Sequence, residues 1–133
     1  MSLTATLDTL LGFYCNVPFF KFQRKHLILS IKEKSKRAWL AAKVLKANQV
    51  AIVFGSTIYL HNTSKERFLS NKQWVRHELK HIEQYHRLSY WTFLFSYLLQ
   101  SIKYGYCNNK YEVEARQAEN DETIVMSNIF TLP

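Results

Sequence analysis

His77, Glu78 and His81 stand in the order His-Glu-x-x-His inside residues 74–84, a stretch with helical spacing. Residues four apart share one face of a helix, so His77 and His81 can present two imidazole nitrogens to a single cation. Glu78 projects from the flank of that face, where a carboxylate can take a proton from a metal-bound water without itself ligating the metal. Zinc is the ion this pattern favours, and hydrolysis by activated water is the chemistry it would support.

A catalytic zinc usually has three protein ligands plus water, so the pair needs a partner. Arg87 stands six residues after His81, where a third histidine would serve, and His86 falls on the apolar side of the projected helix. Its expected state is half-buried with a hydrogen-bond partner. The other common solution is a glutamate from a later helix, offered by residues 111–119. Glu112, Ala115, Arg116 and Glu119 share a face there, while Glu114 points away from it. The small residues Ala115 and Ala118 let this helix approach the motif helix closely.

Positioning such groups requires a helix with one face in the core. At 100° per residue the motif segment sorts into three faces. Val75, Leu79 and Ile82, with His86 below them, form an apolar stripe for the core. Arg76, Lys80, Glu83 and Arg87 form a charged stripe for water. Trp74, His77, His81, Gln84 and Tyr85 share a third face that is neither apolar nor charged. Ser70 or Asn71 is the expected N-cap, and the helix should run to about Tyr85.

Upstream, residues 32–47 are predicted helical, with Ala38, Trp39, Ala42 and Leu45 recurring among lysines and arginines. Residues 49–54 and 57–61 are β-branched runs separated by Gly55-Ser56, which predicts a hairpin. Ser64 should cap a short turn through Glu66 and Phe68. Residues 25–31 suggest a short strand or turn, residues 7–11 a helical turn, and Pro18 breaks the apolar run 13–22. Residues 88–102 are apolar and aromatic, yet Ser89, Thr92, Ser96, Gln100 and Ser101 interrupt them. That favours a buried or partly exposed helix over a membrane span of about 20 residues. Gly105 should end it, residues 107–109 should turn, and residues 110–120 should form the last helix.

The chain of 133 residues is one domain by size, with residues 121–133 as a C-terminal tail. Its 47% hydrophobic and 21% charged content excludes a disordered polymer. The net charge of +8 raises nucleic acid or an anionic membrane as partners, but the basic residues are spread out and no nucleic-acid motif accompanies them. No nucleic-acid partner is therefore expected, and membrane contact is kept only as a peripheral option for residues 88–102. Cys15 and Cys107 are too few for a disulfide framework or a thiolate zinc site, which points to buried thiols in a reducing compartment. The first eleven residues lack a basic n-region, so the expected location is cytoplasmic.

His77-Glu78-x-x-His81 followed by a helix with Glu112-x-x-Ala115 resembles the gluzincin metallopeptidases, and the minigluzincins are nearest in size. The resemblance covers roughly residues 49–119 and implies a compact α+β, zincin-like fold. A small antiparallel sheet would pack on the active-site helix and the downstream glutamate helix. It implies zinc held by His77, His81 and Glu112, Glu78 as general base and acid, and a peptide or protein substrate added as a strand along Ala51, Ile52 and Val53. It also implies that residues 123–132 lie along that strand and block the cleft. Arg116 stands where the family has an aspartate that orients a ligand histidine, which leaves Glu114 or Glu119 as substitute ligands. Tyr104, Tyr106 and Tyr111 are open choices for steadying an oxyanion. The expected activity is zinc-dependent peptide-bond hydrolysis, and the alternative is a zinc-binding scaffold without turnover.

Overall fold

The computed structural model describes residues 29–124. In chain order they form β1 (Ser30–Lys32), α1 (Lys36–Leu45), β2 (Val50–Phe54), β3 (Thr57–His61), α2 (Lys65–Ser70), α3 (Lys72–Leu88), α4 (Tyr90–Tyr104) and α5 (Lys110–Ala118). The expectations for the turn at 7–11, Pro18, Cys15 and residues 125–133 of the tail lie outside the described residues.

The fold is α+β, and the hairpin forms where the turn signal placed it. β2 runs antiparallel to β3, with Val53 opposite Ile58 and Phe54 opposite Thr57. Gly55 closes the turn at φ +61°, a conformation that costs glycine nothing and other residues strain. β1 then adds in parallel to the far side of β3, so the sheet order is β1-β3-β2 and β2 is an edge. The sequence offered residues 25–31 as a short strand or turn but gave only the antiparallel pairing. A three-residue strand pairing with a distant segment leaves no local pattern to read.

Successive side chains of a strand point to opposite faces, and the hairpin uses both. Val53, Ile58 and Leu60 join Val75, Leu79 and Ile82 of α3 in the core. Tyr59 turns the other way, where its hydroxyl accepts from Arg37 Nη1 of α1 at 3.2 Å. α1 covers that face with Ala38 and Ala42 buried. Burial of Val75 or Ile82 stabilises by about 1.5–3 kcal/mol each, and this stripe fixes the rotation of α3.

Caps set the helix ends. α1 is shorter than the predicted 32–47, because Lys34 at φ +51° and Lys46 at φ +52° leave the helical region at either end. Ser64 caps α2, with Oγ accepting from Arg67 N at 3.2 Å. Asn71 caps α3 through Trp74 N at 3.1 Å. The motif helix extends past Tyr85 to Leu88, where Ser89 at φ +67° separates it from α4. Asn109 is wholly buried; its Oδ1 accepts from Tyr111 N while its Nδ2 donates to the Tyr97 carbonyl and Ser101 Oγ, tying α5 to α4.

Three expectations about exposure are corrected. The charged stripe of α3 faces water only in part, because Glu114 of α5 packs on it. Lys80 Nζ lies 2.8 Å from Glu83 and 3.4 Å from Glu114, and Arg87 grips Glu114 with both guanidinium nitrogens at 3.0 Å. His86 is exposed rather than half-buried, since α3 passes the rim of the sheet there, and its Nε2 meets Ser56 Oγ at 3.2 Å. Cys107 is exposed rather than buried, in the turn before α5.

Candidate metal centre

His77 and His81 lie one turn apart on α3, with ring centroids 5.0 Å apart. Glu112 occupies the first turn of α5, which the Asn109 cap holds in place, and is 2% exposed. One ligand atom from each of the three lies within 4.8 Å of the others. His77 Nε2 is 3.4 Å from Glu112 Oε2, and His81 Nε2 is 3.3 Å from Glu112 Oε1. Ligand bonds of 2.0–2.1 Å at tetrahedral angles put neighbouring donors about 3.3–3.4 Å apart, so the spacing suits zinc.

Each of the three has its own outer partner. His77 Nδ1 meets Glu119 Oε1 at 2.9 Å, and His81 Nδ1 meets Gln84 Oε1 at 2.9 Å. Both partner oxygens can accept, so each Nδ1 can keep its hydrogen, and a ring that gives up its second proton to a metal would turn the Nε2 lone pair inward. The Gln84 amide is itself oriented, because its Nε2 donates to the Tyr111 carbonyl and to Glu114 Oε2. Tyr97 OH donates to Glu112 Oε1 at 2.6 Å. Glu112 Oε2 is buried without a hydrogen-bond partner. An unsatisfied buried carboxylate oxygen is costly, and a cation at the cluster would relieve it. The donor set therefore fits a zinc ion.

Without metal the site behaves as a proton-sharing cluster. Burial alone would lower the His77 pKa, but its bond to Glu112 and the charge of Glu78 raise it to about 9. Burial likewise opposes His81 ionisation, and Glu112 and Glu78 reverse it to a raised value. For Glu112 burial favours the neutral acid, yet the two histidines hold its carboxyl well below the usual range. These are the protons a metal must displace.

Glu78 is 4% exposed, and burial pushes its pKa up to about 7 against the pull of His81 and His77. Trp74 Nε1 donates to Glu78 Oε1 at 3.2 Å, one turn earlier on the same helix. The Trp74 ring is braced edge-on against buried Phe68. A cleft of about 450 Å³ opens from His77 and Glu78 past Trp74 and Tyr106 to Val50 and Ala51 of the edge strand.

Of the residues expected to bind substrate, Ala51 walls this cleft, whereas Val53 is in the core and Ile52 lies outside the cleft wall. Of the three tyrosines, Tyr106 borders the cleft, while Tyr111 is buried against Ser96 and Tyr104 packs with Lys103. Neither substitute ligand joins the cluster: Glu114 is turned toward Arg87 and Lys80, and Glu119 stands behind His77. Arg116 is exposed and donates to the Cys107 carbonyl. Glu119 meets the ligand histidine in place of the residue at 116. Gln84 and Trp74 carried a readable signal, three residues after His81 and four before Glu78, whereas Tyr97 was hidden in an apolar run. No known family model, curated protein or solved structure matches this chain.

Proposed function

We propose that this domain is a zinc-dependent peptidase of the gluzincin kind, with His77, His81 and Glu112 as ligands and Glu78 as general base and acid. The observation that carries the reading is the convergence of those three donors, each anchored from behind by Glu119, Gln84 or Tyr97. A bound zinc supplies Lewis acidity and a water of lowered pKa. The chain supplies the rest. Glu78, buried and poised near neutrality, accepts a proton and later returns it to the leaving amine. Trp74 holds one carboxylate oxygen and leaves the other for the proton. The edge strand β2 offers unpaired backbone groups to an extended peptide at Val50 and Ala51, and Tyr106 is placed to donate to a developing oxyanion. Glu119, one turn beyond position 116, meets the need that the arginine leaves open.

The test is elemental analysis of protein purified without added metal, followed by a screen of unstructured proteins for cleavage. Zinc near one per chain, with cleavage lost in Glu78→Gln, supports the reading. Zinc with no Glu78-dependent cleavage selects the inactive scaffold, and no zinc in a folded chain rejects both.

A further inference from the structure

The outer face of α4 carries a stripe of large apolar side chains exposed among the described residues. Trp91, Phe95, Leu98, Leu99 and Ile102 recur at helical spacing and are 48–82% exposed. The opposite face of the same helix is committed: Phe93 is buried and Tyr97 holds Glu112. An exposed stripe of this kind on a single domain marks a docking surface.

Where the described chain begins points to the occupant. Ser30 N donates to the Ser56 carbonyl at 3.3 Å. Next to Ser56, a methyl group on Gly55 would touch the Tyr90 ring at 3.8 Å, and Tyr90 is the first residue of α4. The described chain thus begins beside the start of the stripe. The segment that precedes Leu29 is 28 residues long and rich in large apolar side chains, among them Leu10, Leu11, Phe13, Phe19, Phe20 and Phe22. A helix of 15 residues is about 22 Å long. Sixteen extended residues reach roughly 50 Å, so length does not limit the match. Tethering gives the segment a millimolar effective concentration at α4, well above that of a free partner.

We propose that the outer face of α4 is the docking site of this chain's own N-terminal segment, residues 1–28. The docked segment buries the stripe from Trp91 to Ile102 and braces the helix that carries Tyr97. This holds whether or not the metal centre is a peptidase.

The test uses the full chain with Cys107→Ser, a nitroxide on the native Cys15 and isotope-labelled backbone amides. The expected result is that amides of Trp91, Phe95, Leu99 and Ile102 lose more than half their intensity, while those of α1, across the sheet, do not. Adding Leu99→Asp should restore the α4 signals with the circular dichroism spectrum unchanged. Full α4 intensity in the labelled chain overturns the proposal, as does broadening that survives Leu99→Asp. Broadening seen only when nitroxide and isotope are on different molecules assigns the face to a second copy and also overturns it. Full intensity together with a Trp fluorescence blue shift on adding phosphatidylserine vesicles assigns the face to a membrane surface instead.

Discussion

Two neighbouring regions of this protein invert the usual distribution of side chains. Between α3 and α5, where a small domain ordinarily keeps leucine, lie Glu78, His81, Gln84 and Glu112, all buried. On the outer side of α4, where water is the neighbour, lie Trp91, Phe95, Leu99 and Ile102. The polar interior is costly unless each group has a partner. Every group in it has one except Glu112 Oε2, which lies 3.4 Å from His77 Nε2, while Oε1 of the same carboxylate lies 3.3 Å from His81 Nε2. The apolar exterior needs no charge compensation, and none of its side chains touches the candidate ligands. On the readings proposed above, the first region serves a ligand and the second a cover.

The sharpest way to break this contrast is to remove one ligand. Glu112→Ala should reduce bound zinc to background in elemental analysis, whereas Ile102→Asp should leave zinc at the wild-type level. A Glu112→Ala protein with full zinc content would refute the ligand set. Glu78→Gln should keep the metal and lower cleavage of an unstructured protein by roughly 10²–10⁴-fold, measured as kcat/KM.

Removing the ion is the next largest perturbation. At free zinc 1,000 times its Kd, chelation should cost about 4 kcal/mol of unfolding free energy, read from denaturant midpoints. The pH dependence should also change. In metal-free protein the raised His77 pKa means that its pairing stabilises fully below pH 6.5 and is lost as pH rises through about 9. Zinc binds only the deprotonated ring, so the zinc-loaded protein should stay nearly level over the same interval, and the stabilisation that zinc adds should grow with pH. Melting curves of both forms between pH 6.5 and 9 check this; parallel trends would count against a metal at His77.

Outer partners should matter less than ligands. Glu119→Ala and Tyr97→Phe should each weaken zinc binding by roughly 10–100-fold in competition with a chelator, with the fold retained. Glu119→Gln, which can still accept from His77 Nδ1, should lie closer to wild type.

The smallest effect should come from Trp74→Phe. It keeps the ring against Phe68 and removes the donor to Glu78 Oε1. Loss of a hydrogen bond to a carboxylate raises its pKa, so the acid limb of kcat/KM against pH should move upward while zinc content stays constant. An unmoved limb would confine Trp74 to packing.

Much of this was legible in the chain. The hairpin at Gly55, the caps at Ser64 and Asn71 and the buried stripe Val75, Leu79, Ile82 follow from local rules. The pairing of His77 with His81 is a matter of four-residue spacing. The charged stripe of α3 was misread in part because periodicity shows which residues share a face, and Lys80 and Arg87 look the same whether they meet water alone or Glu114 as well. The apolar run of α4 was hard to place for the same reason, since composition does not say which side of a helix is covered.

By itself, then, the sequence determined the elements and half of the site: the spacing that puts two imidazoles on one face, the base beside them, and a later helix with three acids to choose from. Choosing among Glu112, Glu114 and Glu119 belonged to the tertiary structure. The rotation of α5 against α3 sends Glu112 inward to both Nε2 atoms, Glu114 to Arg87 and Glu119 behind His77. That rotation is fixed by buried Tyr111, Ala115 and Ala118, whose contacts lie far apart in the chain and have no local signature.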